Sequence, residues 1–341
     1  MGIVFSGVIR VMYKTRFGIC FYDREREVDC LERVVGRGDF VVVWGPKNIG
    51  KSELLKYFSY IVSGRGWVVY YIDAREYIAR KTIEVYPSRD FLGEFLDMVR
   101  DIVGVPSYLL ELFEKGIRFG LEKKASGILW VFDEPHYLSN VKPFLESIVK
   151  NTIYTSYGKP VSAIISVSDG WFITSDAMHS LLDYGVKHLF VDELDIESFK
   201  ILYRDIVSIT GINTGLDVET IYREYTGGNP GYLIDLLKHS STNEWVNNAR
   251  YSLINKVVRI ERGSGFPREQ VLRYIASLPK TINIQHISVD EYSLVEKLLE
   301  NNIVYYDIAC IETIVKPVLP VYKLLAKELL KEYKETKQAH R

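Results

Sequence analysis

Phe40-Val41-Val42-Val43-Trp44-Gly45-Pro46-Lys47-Asn48-Ile49-Gly50-Lys51-Ser52-Glu53-Leu54-Leu55 is the stretch that decides the reading of this chain. Its first five residues are apolar and β-branched or aromatic, the composition of a strand buried on both faces. From Gly45 to Ser52 it fits G-x-x-x-x-G-K-[ST] at every fixed position. The remainder opens a helix that extends over Ser52–Val62. Glycines at 45 and 50 let the loop curl so that successive backbone N–H groups face one anion, and the positive end of the helix faces it too. Gly45, Pro46, Lys47, Asn48, Ile49, Gly50, Lys51 and Ser52 are therefore the expected cradle for a nucleotide's phosphates. Lys51 supplies a mobile charge for the β- and γ-phosphates, and the Ser52 hydroxyl is placed to ligate Mg²⁺.

Working outward, Trp67–Ile72, Ile128–Phe132, Val161–Val167 and the weaker His188–Val191 have the same buried-strand character. Helical patterns separate them over Asp90–Val103 and Val141–Tyr154, and Val28, Leu31, Val34 and Val35 mark a short helix ending near Gly36. Strands alternating with helices of this length predict an α/β fold with a parallel sheet and right-handed crossovers. The third strand ends in Asp133-Glu134. Ligands of open α/β sheets bind at the carboxyl ends of strands, so both carboxylates belong beside the phosphates. Asp133 would hold Mg²⁺ through water, and Glu134 would polarise the attacking water as general base. The fourth strand ends in Ser166, Val167 and Ser168; Ser168, with Ser166 as the alternative, is the polar group expected to sense the γ-phosphate. His136 directly follows the Glu134-Pro135 step and could approach the phosphates, but it reads rather as a surface histidine at a helix start.

After Val191 the character changes. Asp195–Thr210, Asp217–Tyr225 and Tyr232–Leu237 read as three helices without strands, and the polar stretch Ser240–Asn248 reads as a linker or surface loop. From Arg250 onward the pattern is helix, helix, two short strands (Ile303–Tyr306 and Ile311–Val315) and a final helix beyond Pro320. The expected division is a P-loop core over 1–192 with a lead-in over 1–20, a helical lid over 193–248, and a winged-helix-like module over 249–341.

Composition bounds the function. The chain has 341 residues, 43 Lys and Arg against 44 Asp and Glu, and 47% hydrophobic residues, which excludes a disordered chain and a uniformly basic nucleic-acid coat. Cys20, Cys30 and Cys310 have no paired spacing, and six histidines lack metal spacing. No apolar run reaches the roughly 18 residues needed to cross a bilayer. Met1–Ser6 resembles the start of a short signal peptide, but Arg10 and Lys14 follow the apolar stretch without a small-residue cleavage site; the same residues fit the short, loose M-G-x-x-x-S acylation pattern. A reducing, cytoplasmic setting is expected, without membrane partners. Three Gln beside 24 Tyr is a bias of proteins from hot environments.

The motifs together resemble the archaeal ATPases of the STAND class, P-loop NTPases related to AAA+ proteins. The resemblance rests on Phe21-Tyr22-Asp23-Arg24-Glu25-Arg26-Glu27 (similar to F-x-x-R-E-x-E), the P-loop, Tyr71-Ile72-Asp73-Ala74-Arg75, Phe132-Asp133-Glu134, and Tyr225-Thr226-Gly227-Gly228-Asn229-Pro230. It implies a five-stranded parallel sheet in the order 5-1-4-3-2, a helical lid and a winged helix. It also implies an ATP/ADP switch that hydrolyses ATP slowly, with adenine held by Pro230 and the backbone near Tyr22. Two departures stand out. Gly185 is followed by Val186 and Lys187 where the family carries Gly-Arg, and Asn48 stands where Arg is usual. An arginine at the γ-phosphate is worth on the order of 10³-fold or more in rate, so hydrolysis is expected to be slow or to need a partner.

Partners follow from charge. Residues 250–280 carry seven basic side chains against Glu261 and Glu269, a stretch that could meet DNA phosphates. The helix over Asp290–Asn301, in the position of a recognition helix, instead carries Asp290, Glu291, Glu296 and Glu300 against Lys297. The same outline therefore also fits a module packed on the ATPase core or bound to protein. Two alternatives to the switch are a replication-initiator-like AAA+ DNA-binding ATPase and a binding-only nucleotide scaffold. A nucleotide-dependent oligomer and an unidentified protein partner complete the expectations.

Overall fold

The computed structural model describes residues 15, 24–80, 83–86, 108–153, 157–239, 241–279, 281–307 and 314–339. Tyr22, the helix expected over 90–103, Cys20, Cys310 and the connection 308–313 lie outside the described residues.

The sheet grows from the apolar runs. Its strands are β1 (Phe40–Gly45), β2 (Val68–Asp73), β3 (Glu84–Tyr86), β4 (Ile128–Asp133), β5 (Val161–Ser168) and β6 (Lys187–Phe190), ordered β3-β2-β4-β5-β1-β6. Five run parallel, and counted alone they stand in the order 5-1-4-3-2; β3 pairs antiparallel with β2 at the edge. The sheet therefore has six strands rather than the five expected. The three-residue β3, with one buried side chain, is too short to leave a period-2 signal.

Helices cover both faces. Against one face pack α1 (Glu25–Val35) and α2 (Lys51–Ser63), whose Leu31, Val35, Leu54, Leu55 and Phe58 meet Val41, Val43, Tyr71, Val131 and Ile164. The other face, with Val42, Trp44, Tyr70, Trp130 and Phe132, belongs to a larger apolar core. That core also takes in α3 (Ala74–Arg80), α4 (Tyr108–Glu122), α5 (Val141–Ile153), α6 (Asp169–Thr174) and α7 (Asp176–Asp183) through Tyr77, Phe113, Ile148, Phe172 and Met178. Because both faces are covered, β1, β2 and β4 are near-continuous apolar runs rather than alternating.

Beyond β6 the chain is helical: α8 (Ile196–Thr210), a short turn of helix running into a π-helix over Ile221–Thr226, α9 (Pro230–Lys238) and α10 (Thr242–Ser264). The last corrects the linker expected over 240–248. Ser241 caps α10 by accepting from the Glu244 N–H, and Trp245 and Ala249 are buried while the polar residues between them face water. α11 (Arg268–Ser277), β7 (Ile282–Asn283), α12 (Val289–Glu300), β8 (Val304–Asp307), β9 (Ile314–Pro317) and α13 (Val321–Ala339) complete the fold. The three short strands form an antiparallel sheet in the order β7-β9-β8. β7 was not legible in sequence; β9 runs on to Pro317, and residues 311–313 of the strand expected over 311–315 lie outside the described residues.

The apolar stripe of α12, Leu294, Val295, Leu298 and Leu299, is buried, and the helix packs on α6 of the sheet-bearing part. Burying a side chain of this size stabilises by about 2 kcal/mol. The helix in the recognition position also packs on β8 and α10, so it is held from several sides in this conformation.

Candidate functional site

The site is assembled at the carboxyl ends of β1, β4 and β5. Gly45 ends β1 with φ 151°, and a Cβ there would lie 2.4 Å from the Val191 carbonyl oxygen, so only glycine fits. Gly50, in the left-handed region, precedes α2, whose first residues are Lys51 and Ser52. Lys51 is 6% exposed, and its Nζ donates to the carbonyls of Gly45 (2.9 Å) and Pro46 (2.8 Å). The amine is thus folded into the loop whose N–H groups would face an anion.

Asp133 ends β4 at 1% exposure. The Tyr71 hydroxyl donates to its Oδ2 at 2.7 Å, while its Oδ1 is buried without a hydrogen bond among the described residues. Asp133 stands in register with Ser166 on β5, whose Oγ is likewise buried and unpaired among the described residues. Ser168 stands in register with Gly45. The structure therefore brings Ser166 beside Asp133 and Ser168 beside the start of the phosphate loop.

Glu134 turns sharply out of the strand. It adopts φ 53°, ψ 48°, a left-handed conformation uncommon outside glycine, which costs on the order of 1 kcal/mol. The Glu134 N–H donates to the Ser166 carbonyl at 2.8 Å, fixing the turn to β5. Its Oε2 lies 3.2 Å from the Arg75 guanidinium, which also approaches Asp73 at 3.9 Å. Burial raises the Glu134 carboxyl above its ordinary value; Arg75 and Lys51 pull it down, and Asp133 and Asp73 push it further up. A carboxylate poised in this way suits a general base.

The opposite wall is the turn over Thr226–Pro230. Gly228 admits no side chain, since a Cβ there would lie 2.2 Å from the Leu194 carbonyl. Asn229, 1% exposed, caps α9 through Oδ1, which accepts from the N–H groups of Gly231 and Tyr232. Its Nδ2 donates to the Lys47 carbonyl at 2.9 Å, and the Gly231 N–H donates to the Asn48 carbonyl at 3.1 Å. Pro230 sits over Gly50, its Cγ 3.8 Å from where a Cβ would project. The lid turn is seated directly on the phosphate loop. Arg24 closes the third side: at 6% exposure it donates to the carbonyls of Ile49 (3.2 Å) and Asp192 (2.9 Å) and pairs with Glu27 (2.9 Å).

Four functional contacts went unread in the sequence: Arg24 on the loop, Tyr71 on Asp133, Arg75 on Glu134 and Asn229 on Lys47. Each lies inside a motif singled out there, so position was visible and partner was not. The weak point at Gly185-Val186-Lys187 has a partial counterpart, since Arg75 brings a guanidinium to Glu134 from a different strand end.

Mg²⁺ fits the residues present. The unpaired Oδ1 of Asp133 and the hydroxyl of Ser52 are a sparse oxygen set of the kind this ion uses together with phosphates and water. Among the described residues no group of three His, Cys, Asp or Glu could hold a metal alone, and no helix is long and apolar enough to cross a membrane.

Residues 21–236 match the family model of an ATPase domain predominantly from Archaea. An uncharacterised ATP-binding protein of Methanocaldococcus jannaschii is 24% identical over 87% of this chain and 96% of its own. One from Pyrococcus abyssi is 22% identical over 64% of this chain and 73% of its own. Among solved structures, the ORC2 protein of Aeropyrum pernix, in ADPNP–ADP complexes, aligns over 92% of this chain and 95% of that one, with 13% identity and a TM-score of 0.48.

Proposed function

The chain belongs to this family of ATPase domains, and from that premise we propose that it is a slow Mg-ATP-hydrolysing switch whose nucleotide lies between the sheet and the lid turn. The observation that carries the reading is the pairing of Lys51, folded into the phosphate loop, with a neighbouring strand end where Asp133 keeps a buried oxygen unpaired. Lys51 exchanges its two carbonyl partners for β- and γ-phosphate oxygens. Asp133, oriented by Tyr71, and Ser52 hold Mg²⁺, which supplies charge neutralisation across the phosphates. Glu134 accepts a proton from the water that attacks the γ-phosphorus, yielding ADP and phosphate. Ser168, or Ser166, contacts the γ-phosphate, and Pro230 with the backbone near Tyr22 holds adenine.

A working division into core (1–192), lid (193–248) and C-terminal module (249–341) puts the Asn229–Lys47 bond across the core–lid boundary, while the Arg24–Asp192 bond fixes the last residue of the core. Nucleotide exchange then requires the lid turn to move, and the C-terminal module moves with it because α10 runs from one into the other. DNA binding finds less support. Arg250, Arg268 and Arg273 are paired with Glu332, Glu261 and Glu269, and α12 is packed on the core. Arg259 and Arg262 are exposed and would carry any phosphate contact, with an affinity that falls steeply with salt.

The test is steady-state ATP hydrolysis at elevated temperature for the wild type and Glu134→Gln in parallel. Turnover that disappears in the variant supports the reading. Equal turnover in both removes Glu134 from the mechanism, and no turnover in either leaves a nucleotide-binding switch that needs a partner for hydrolysis.

A further inference from the structure

His136 follows Glu134 by two residues and has no assigned task. It is not the exposed helix-start histidine expected from sequence. Pro135–Tyr137 form a single 3-10 turn immediately after Glu134, and the imidazole is held half-buried within it, 4.4 Å from the Tyr137 ring and 5.6 Å from the Trp171 ring. Its Nδ1 is buried and has no hydrogen bond among the described residues. A buried polar nitrogen left in that condition is unfavourable, so it calls for a ligand or a reason.

The surroundings point to the ligand. The charged groups acting on the ring are Arg75, Lys51 and Asp133, which are among those acting on Glu134. Burial, helped by Arg75 and Lys51 and opposed by Asp133, lowers its pKa to about 4, so the ring is neutral near pH 7 and offers one N–H donor and one lone pair. A neutral donor suits an anionic oxygen in a cramped site. It adds no charge that would have to be desolvated.

The other side of the ring leads away from the site. Trp171 lies on α6, the helix that follows β5 with its Ser166 and Ser168. α6 packs on α12 and β8 of the C-terminal part, and a Cβ on Gly170 would come 3.4 Å from the Leu299 carbonyl. The path from the phosphate site to the C-terminal part is thus one aromatic pair and one short helix long.

We propose that His136 is a γ-phosphate sensor: its Nδ1–H donates to a terminal phosphate oxygen of ATP, and the resulting setting of the ring against Trp171 passes the presence of that phosphate through α6 to the C-terminal part. The proposal rests on the nucleotide site proposed above and adds the residue that distinguishes ATP from ADP.

The experiment keeps ATP intact by working in the Glu134→Gln background. Affinities for Mg-ATP and Mg-ADP are measured by equilibrium titration with His136 present, with His136→Ala and with His136→Gln. The emission of Trp171 is isolated by subtracting a matched Trp171→Phe protein. A hydrogen bond to a charged oxygen predicts a loss of about tenfold or more in ATP affinity for His136→Ala, with ADP affinity held within about twofold. His136→Gln, which keeps an N–H donor, recovers part of the loss. The Trp171 emission responds to ATP but not ADP when His136 is present, and to neither in His136→Ala. Equal losses for ATP and ADP, or an ATP-specific Trp171 response that survives His136→Ala, overturns the proposal. Failure of the parent protein to bind either nucleotide overturns the nucleotide site itself, and this proposal with it. Because ATP and ADP are compared on one protein, a merely misfolded variant is recognised by its loss of both.

Discussion

Glu134 and Arg75 are close enough to pair, at 3.2 Å, yet the Arg75 side chain is 51% exposed. An ion pair so open to water contributes about 0–1 kcal/mol to stability, so its consequence lies in the ionisation of Glu134 rather than in the fold. Burial raises that carboxyl and Arg75 lowers it. Glu134 must be ionised to accept a proton, so hydrolysis is lost as pH falls through its pKa. Arg75→Ala removes a downward influence, and the acid limb of the pH–rate profile accordingly moves to higher pH while the melting temperature hardly changes. An acid limb that stays in place would show that Arg75 does not act on the base. The same reasoning at Lys51 predicts that Lys51→Ala weakens Mg-ATP binding by about tenfold or more, since a phosphate–ammonium contact is a charge-assisted hydrogen bond. Equilibrium titration with ATP checks it, and undiminished affinity would remove the loop from the nucleotide site.

Elements explain why some of this was legible beforehand. β1 and β4 are apolar up to their last residue because helices cover both faces, so Gly45 and Asp133 at their carboxyl ends stood out by contrast, whereas Ser162 and Ser166 inside β5 made its polar end at Ser168 less distinct. β3 has only three residues, and α10 shows a mostly polar surface over its first turns, so neither produced a periodic signal. The Ser241–Glu244 cap was in the sequence but was outweighed by the polar residues around it. Contacts between segments far apart in sequence, such as Arg24 with Asp192 and Asn229 with Lys47, have no sequence signature beyond the motif that contains them. The lid turn gives this level its own prediction. Gly228→Ala places a methyl against the Leu194 carbonyl, and backbone there cannot yield cheaply, so overpacking costs about 1–3 kcal/mol. The displaced turn also loses the Asn229–Lys47 bond, so nucleotide affinity falls with stability. Gly263→Ala is the contrasting case. It lies within α10 with nothing within 4 Å of the new Cβ, and it stabilises by roughly 0.5–1 kcal/mol. Thermal denaturation of the two variants reads both signs.

At the scale of the whole molecule, Lys256 connects parts that are distant in sequence. On α10, its Nζ donates to the Asn302 carbonyl after α12 at 2.6 Å and lies 5.0 Å from the ring centre of Tyr322 on α13. Burial, with Lys47 of the phosphate loop and Arg259 as like charges, lowers its pKa to about 8. An unfolded lysine keeps its proton to about pH 10.4, so between these limits the unfolded chain binds more protons and stability rises with pH. The full rise is on the order of 3 kcal/mol, and above about pH 10 it is reversed by Tyr70, Tyr71 and Tyr322, whose burial raises their pKa values and makes ionisation favour unfolding. Lys256→Met should flatten the curve between about pH 8 and about pH 10, a range set by the shift from 10.5 to about 8 and by the onset of tyrosine ionisation. Nucleotide enters the same balance. Phosphates held beside Lys47 bring negative charge to the place where Lys256 now meets only positive charge, so its pKa rises when ATP binds. Binding at pH 8.5, a little above that pKa, therefore takes up protons, which calorimetry in buffers of different ionisation enthalpy measures directly. Lys256→Met abolishes the uptake if the phosphate loop and the C-terminal part are coupled through this side chain, and uptake that persists in the variant would assign the coupling elsewhere.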